Sequence, residues 1–410
     1  MNVAFIACEY NPFHNGHLYH LIETKKAGAD AIICIMSGNF VQRGEAAVAE
    51  KHFRAKLALQ NGADLVLELP LKFAVAPASL FADGFIKTAA STGLSGFISF
   101  GSKDLLDDLL TLSDYLFSDT AEAFAQKQLK NGINYPKAKN LYVEAKLGPK
   151  YAEMLSDANN TLALEYIRAS RLYFKDVSYN CVLRNKVFHD SSFAVANVAS
   201  AGFIREKLFD SYENNLNDFI YAIRNYVPDN VFCSLLEEYS SGRFPIQREK
   251  FEVAALSRLF TKTRNDIKAV NNVTEGLENR IFDVIKNSNL LSDVLDGVKS
   301  KRFTSARIRQ IIMNLILGIT RSDIENDLSY IRVLGFNSNG RKLLHAMKKS
   351  ASLPVVSNLS EISSDNETAM RDAYLDFEAG KLYGLLLPEN RFRNPEFDIP
   401  PVFVNEQENG

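Results

Sequence analysis

The chain has 410 residues, 46% hydrophobic and 23% charged, the balance of an ordinary globular protein, which excludes disordered, collagen-like and low-complexity classes. This length predicts two domains, or one large domain with an appendage, and 47 basic against 49 acidic residues leave a net charge of −2 that announces no polyanionic partner. No apolar run approaches the roughly 20 residues that span a bilayer, no signal-peptide pattern precedes the first strand, and Cys8, Cys34, Cys181 and Cys233 form no CxxC pair. A cytoplasmic protein is expected, without membrane contact, disulfide framework or protein-bound metal.

Along the chain, Val3–Ala7, Ala31–Met36, Asp64–Leu69 and Gly96–Phe100 are short runs that are apolar on both faces. Amphipathic helical stretches separate them, near Leu18–Lys26, Glu50–Asn61 and Ser79–Ala89. Such strands alternating with helices predict a parallel sheet packed on both sides. A helix from Asn160 and a fifth strand at Val177–Arg184 follow. Beyond about residue 215 the strand signal fades. Asn217–Tyr226, Asn230–Tyr239, Glu252–Ala269, Glu275–Lys286 and Ala306–Leu317 are expected to be helical. The expected architecture is α/β: a Rossmann-like domain with a parallel sheet over 1–215, then a mainly α-helical domain over 216–410.

The chemistry concentrates in Glu9-Tyr10-Asn11-Pro12-Phe13-His14-Asn15-Gly16-His17, between the first strand and the first helix. A helix N-terminus offers unpaired N–H groups and the positive end of a dipole, so it attracts phosphate. His14 and His17 there can donate ring N–H bonds to a nucleotide and stabilise charge as an α-phosphate is attacked. Gly16 leaves room for a base or ribose, and Pro12 fixes the turn.

Strand–HxGH–helix resembles the nucleotidyltransferase superfamily, and the longer string EYNPFHNGHLYH is similar to the bacterial tRNA(Met) cytidine acetate ligase family. Further matches are Ser37–Glu45 (SGNFVQRGE), Phe100-Gly101-Ser102, Asn159-Asn160, Ala306–Arg309 (ARIR) and Tyr330–Asn337 (YIRVLGFN), so the resemblance covers nearly the whole chain. It implies formation of acetyl-adenylate from acetate and ATP, then transfer of acetyl to N4 of the wobble cytidine of elongator tRNA(Met). It also implies an ATP cradle of Ala7, Cys8, Glu9, Tyr10, Asn11, Pro12, Phe13, His14, Asn15, Gly16, His17, Leu18, Tyr19 and His20, with Gly101, Asn160, Arg184 and Arg205. Magnesium as a companion of ATP is left open. The segment Ser37–Gly44 is expected to line the acyl or cytidine side, with Arg43 toward a carboxylate or phosphate and Glu9 the candidate base. Tyr10 and Phe40 are candidate stacking partners for a base. Three departures from the family pattern stand out: Lys103 in place of Glu, Gly202 in place of a hydroxyl residue, and Ala46 in place of Pro.

Charge in the second half is segregated. Gly297–Ser322 contains no acid, and Gly297–Ser350 carries eleven basic residues against three acids; 351–410 then carries eleven acids against four bases. A basic surface of this kind suits a phosphate backbone. Lys299, Lys301, Arg302, Arg307 and Arg309 are the expected RNA contacts, extended by Arg332, Arg341 and Lys342; Arg307 and Arg309 flank one isoleucine and should diverge. The rival readings are a small-molecule adenylyltransferase and a non-catalytic ATP- or RNA-binding protein. Neither a protein partner nor an oligomeric state is indicated.

Overall fold

A computed structural model describes residues 1–184, 199–214, 221–274, 276–300, 305–389 and 395–405. The expected parallel core is present as β1 (Val3–Cys8), β2 (Ala31–Ser37), β5 (Leu65–Leu69), β6 (Gly96–Ser102) and β7 (Ser178–Leu183), with β3 (Phe40–Val41) and β4 (Glu45–Ala46) forming a separate small hairpin. The spatial order β5-β2-β1-β6-β7 leaves β1 in both directions, and all four contacts are parallel. The strand order therefore reverses between β1 and β6. In open α/β sheets the crevice at such a point, beyond the carboxyl ends of the strands, receives ligands.

The both-faces-apolar pattern has the consequence it predicts. Val3 and Phe5 of β1, with Ile33, Ile35, Leu65 and Leu67, belong to one buried cluster, packed against helices Ala78–Ser91 and Ala158–Tyr173. Ala4, Ile6 and Cys8, with Cys34, Met36 and Val66, face the other way, into a cluster that continues through Leu208, Leu256 and Ile312 of the second half. Helix α1 (Asn15–Lys26) follows β1, and α2 (Lys51–Gln60) follows the hairpin.

The second half departs from expectation in one respect. It is mainly helical, but β8 (Ile331–Phe336) returns to the sheet antiparallel to β5, and it carries β9 (Val355–Val356) and β10 (Val402–Phe403) parallel to itself. The residues before 215 thus supply only part of the sheet. Arg332 is the reason for the fading signal: a charge inside a strand argues against burial, yet it is 2% exposed and paired with Glu68 and Glu396. Glu68 lies on β5, hundreds of residues earlier, and Glu396 lies 64 residues later in the short helix Pro395–Asp398, so no local pattern shows them. Arg332 is accordingly no RNA contact.

The expected helix Glu252–Ala269 is two helices, Arg248–Phe260 and Arg264–Ala269, because Thr263 and Asp266 form a capping box that starts the second. The expected Asn217–Tyr226 falls partly outside the described residues, and Tyr221–Tyr226 is a 3-10 turn. Glu275 is also outside them, and the helix there runs Leu277–Asn287. Between β6 and β7, helices at Leu106–Leu116, Asp119–Lys130 and Tyr135–Leu147 were not anticipated.

Candidate active site

His14 is the N-cap of α1, a position usually held by Ser, Thr, Asp or Asn. Its Nδ1 accepts from the Gly16 amide at 3.0 Å, while His17 Nδ1 accepts from the His14 amide at 3.2 Å. The two imidazoles thus close a reciprocal capping box of their own. Since each Nδ1 accepts, each neutral ring carries its proton on Nε2. The rings stack 3.6 Å apart at 17°. Burial, reinforced by the Arg184 charge, lowers His14 to about 3. Burial, then the His14 and Arg184 charges, hold His17 well below its ordinary value. Both are therefore neutral Nε2–H donors at neutral pH, beside the positive end of a helix dipole. The geometry favours an incoming phosphate without a mobile proton.

The far wall comes from β6 and β7. Arg184 sits at the end of β7, where its Nη1 donates to Asn159 Oδ1 at 2.6 Å, and a Cβ on Gly101 would come within 3.6 Å of its side chain. Gly101 thus leaves an open approach beside Arg184. Asn160 is fully buried with both amide ends in use: Oδ1 accepts from Ser102 Oγ and the Lys103 amide, and Nδ2 donates to Asp104 and the Met154 carbonyl. It is a clamp on the loop after β6. The helix N-cap beside it is Asp157.

Arg205 is 7% exposed and bridges two loops, with Nη1 donating to the Asn11 carbonyl at 2.9 Å and Nη2 lying 2.8 Å from Glu45 Oε1. Glu9 accepts from the Gln42 amide, and burial raises its carboxyl. That contact ties the histidine loop to the hairpin, the orienting role, and the base role has no geometric support of its own. His20 Nε2 lies 3.0 Å from Ser99 Oγ, within a network that includes Thr24 and Asn180, so it anchors α1 to β6. Asn15 Nδ2 donates to the Asn225 carbonyl, toward the second half.

Tyr10 and Phe40 do not await a base. Tyr10 is 2% exposed with its hydroxyl 3.3 Å from Cys34 Sγ, and Phe40 is fully buried edge-on to Tyr383. Cys8 and Phe13 are also core residues, their side chains packed in the interior.

Sequence reasoning missed Arg54. It is completely buried on α2, and its guanidinium donates to the carbonyls of Glu9, Ser37, Gly38 and Ala49. One side chain thus holds the loops after β1 and β2 in fixed relation. The available signal was its position on the inward stripe of α2, with Lys51, Ala55 and Ala58.

Of the expected RNA contacts, Lys301 and Arg302 lie outside the described residues. Lys299 is exposed, and its carbonyl accepts from Arg280. Arg307 and Arg309 do diverge around buried Ile308: Arg307 donates to the Asn272 carbonyl at 2.6 Å, whereas Arg309 is exposed and packs on Gly44. Arg341 lies over the Phe403 ring, and Lys342 donates to Asn339. Among the described residues no cluster of three or more His, Cys, Asp or Glu suits a metal ion, and no helix is long and apolar enough to cross a membrane.

Comparison with known proteins agrees with this geometry. The family described as HIGH Nucleotidyl Transferase matches residues 1–396. The tRNA(Met) cytidine acetate ligase of Acetivibrio thermocellus is 34% identical, with 97% of each chain covered; that of Thermosipho melanesiensis is 32% identical over all of both chains. The crystal structure of Thermotoga maritima TmcAL bound with alpha-thio ATP superposes with a TM-score of 0.89 at 30% identity, covering 99% of this chain and 100% of that one. The strand–HxGH–helix corner is thus one feature of a likeness that runs the length of the molecule, and the chain belongs to the HIGH nucleotidyl transferases and, within them, to the tRNA(Met) cytidine acetate ligases.

Proposed function

We infer that the protein is an ATP-dependent ligase that activates acetate and transfers the acetyl group to tRNA(Met), at N4 of the wobble cytidine. The observation that carries this reading is the pair of neutral, Nε2–H imidazoles locked at the start of α1, in a chain whose relatives are tRNA(Met) cytidine acetate ligases. In the first step an acetate oxygen attacks the α-phosphorus of ATP, and pyrophosphate leaves with the bonding pair. His14, His17 and the α1 amides face the charge that builds on the phosphate oxygens, and Arg184 adds a cation across the crevice. In the second step the cytosine amine attacks the acetyl carbonyl; AMP leaves and the nitrogen loses a proton. A mixed anhydride has so good a leaving group that positioning supplies much of the rate.

ATP enters as co-substrate, and magnesium as its companion rests on triphosphate chemistry alone. The helical half, 216–410, is proposed to hold the RNA through Lys299, Arg309 and the basic residues beside them, with a water-exposed, cytoplasmic setting to match. The rival cofactor adenylyltransferase leaves that half without a task. The test is labelled acetate, ATP and bulk tRNA with the purified protein, nucleosides being resolved by mass spectrometry. Label in N4-acetylcytidine that is lost in His14→Ala and His17→Ala is expected; no label from protein that still binds ATP refutes the assignment.

A further inference from the structure

Beside the phosphate site, on the other side of Arg205, lies a cavity of about 560 Å³, within the range of small-ligand sites. Its walls are the β3–β4 turn, helix Ala201–Asn214, helix Arg248–Phe260, helix Leu291–Val298 and helix Ser305–Leu317. Arg205 forms the partition: one guanidinium nitrogen is on the Asn11 carbonyl of the histidine loop, and another is beside Glu45, which lines the cavity.

Three features of the lining specify an occupant. Arg248 lies with its guanidinium 3.8 Å from the centroid of the Phe209 ring, so a flat cation is already braced on one face by an aromatic. Guanidinium planes of this kind stack unpaired bases. Second, Glu45 lines the cavity with its side chain 38% exposed, held in place by Arg205, which lies 2.8 Å from Oε1. A carboxylate so placed matches the exocyclic amine of a cytosine. Third, Arg205, Arg248 and Arg309 outnumber Glu45 and Glu252, and Glu252 Oε1 already accepts from the Leu291 amide. The surplus is positive, as a phosphodiester requires. Arg309 is brought there by Gly44, whose φ of +72° and missing side chain let the Arg309 Cγ come within 2.9 Å of where a Cβ would stand.

We propose that this cavity receives one unstacked cytidine of an RNA loop, with its base on the Arg248 plane and its exocyclic amine at Glu45. This rests on the ligase reading above and adds to it the place where the acceptor nucleotide enters. Arg205, bonded to the Asn11 carbonyl and beside Glu45, ties the amine's place to the histidine loop, where the activated acetyl group is made.

The test uses the full chain and a 17-nucleotide anticodon stem-loop of tRNA(Met). Acetate-dependent ATP–pyrophosphate exchange by the wild type is measured first; its absence sinks the ligase reading without touching the cavity. Arg248 is exposed, so Arg248→Ala and Arg248→Lys should fold. Both are expected to raise KM for the stem-loop about tenfold, and by more than any change in KM for ATP; the lysine keeps the charge and loses the plane. An unchanged KM for RNA, or equal changes for both substrates, overturns the proposal. Photocrosslinking from 5-iodocytidine at the acceptor position needs no catalysis. Crosslinks are expected in peptides from Ala201–Asn214 or Arg248–Phe260, and crosslinks confined to other peptides overturn it.

Discussion

His14→Asn separates two jobs that one imidazole performs. Asparagine is among the best N-caps, so its side-chain oxygen can accept from the first-turn amides of α1, with a cost of a few tenths of a kcal/mol. What it lacks is the Nε2–H and the titration. In the wild type the folded-state value is about 3 against an ordinary 6.5. Above pH 6.5 neither folded nor unfolded chain binds the proton; as pH falls from 6.5 toward 3 only the unfolded chain does, so stability is lost across that window. At pH 5 the loss from this one residue is about 2 kcal/mol, 1.5 pH units at 1.36 kcal/mol each. His14→Asn should therefore resemble the wild type at pH 7.5 and be more stable at pH 5 by about 2 kcal/mol, roughly 2 °C in Tm for a chain this long. Its acetate-dependent pyrophosphate release should fall by about 10²–10³, the usual cost of one preorganised donor to a developing oxyanion. The assays are thermal melts at the two pH values and a steady-state rate at pH 7.5. A variant that keeps full activity, or one whose stability tracks the wild type down to pH 5, refutes the argument from a buried neutral cap.

Arg54→Met should remove donors from four carbonyls at once; about 1–3 kcal/mol per stranded buried group predicts a loss of at least about 3 kcal/mol in urea unfolding, with a fall in kcat/KM for ATP as the two loops part. At Gly202 an added Cβ would meet only Ser200 Oγ at 3.8 Å and Arg43 Nη1 at 4.0 Å, so the pocket still has room for the family's hydroxyl residue. Gly202→Thr should fold at least as well as the wild type and lower KM for ATP about tenfold if the hydroxyl reaches a phosphate; an unchanged KM removes that contact from the mechanism. Glu396→Gln should cost about 3–5 kcal/mol, because the buried cations Lys51 and Arg332 would lose one of the two carboxylates they share and be left with Glu68 alone between them. Urea midpoints at pH 7.5 check this, and a midpoint equal to the wild type's would show the cluster to be self-sufficient.

What was legible in the chain was whatever depends on neighbours in sequence. The two-faced strands at 3–8, 31–37 and 65–69 declare themselves by their composition, and the histidine motif by its place after the first of them. Pairings across long separations were not legible. Glu68 sits in an otherwise apolar strand and is buried only because Lys51 and Arg332 meet it, and Arg332 was assigned to RNA because its acids are out of sight along the chain. Tyr10 and Phe40 have the composition of stacking residues but are taken into the core by the sheet behind them. The cavity was invisible for the same reason: its walls are drawn from positions between 44 and 316.

The return of β8 to the side of β5 bears on how such a chain is made and dissected. Until residue 336 has been synthesised, β5 is a bare sheet border, with Leu65, Leu67 and Leu69 in a strand whose outer amides have no mate. An unpaired border of that kind invites joining to another chain. A polypeptide stopped near residue 215 should therefore aggregate instead of yielding a miniature nucleotide-binding protein, and the nascent enzyme should depend on shielding of this border until its last third emerges from the ribosome.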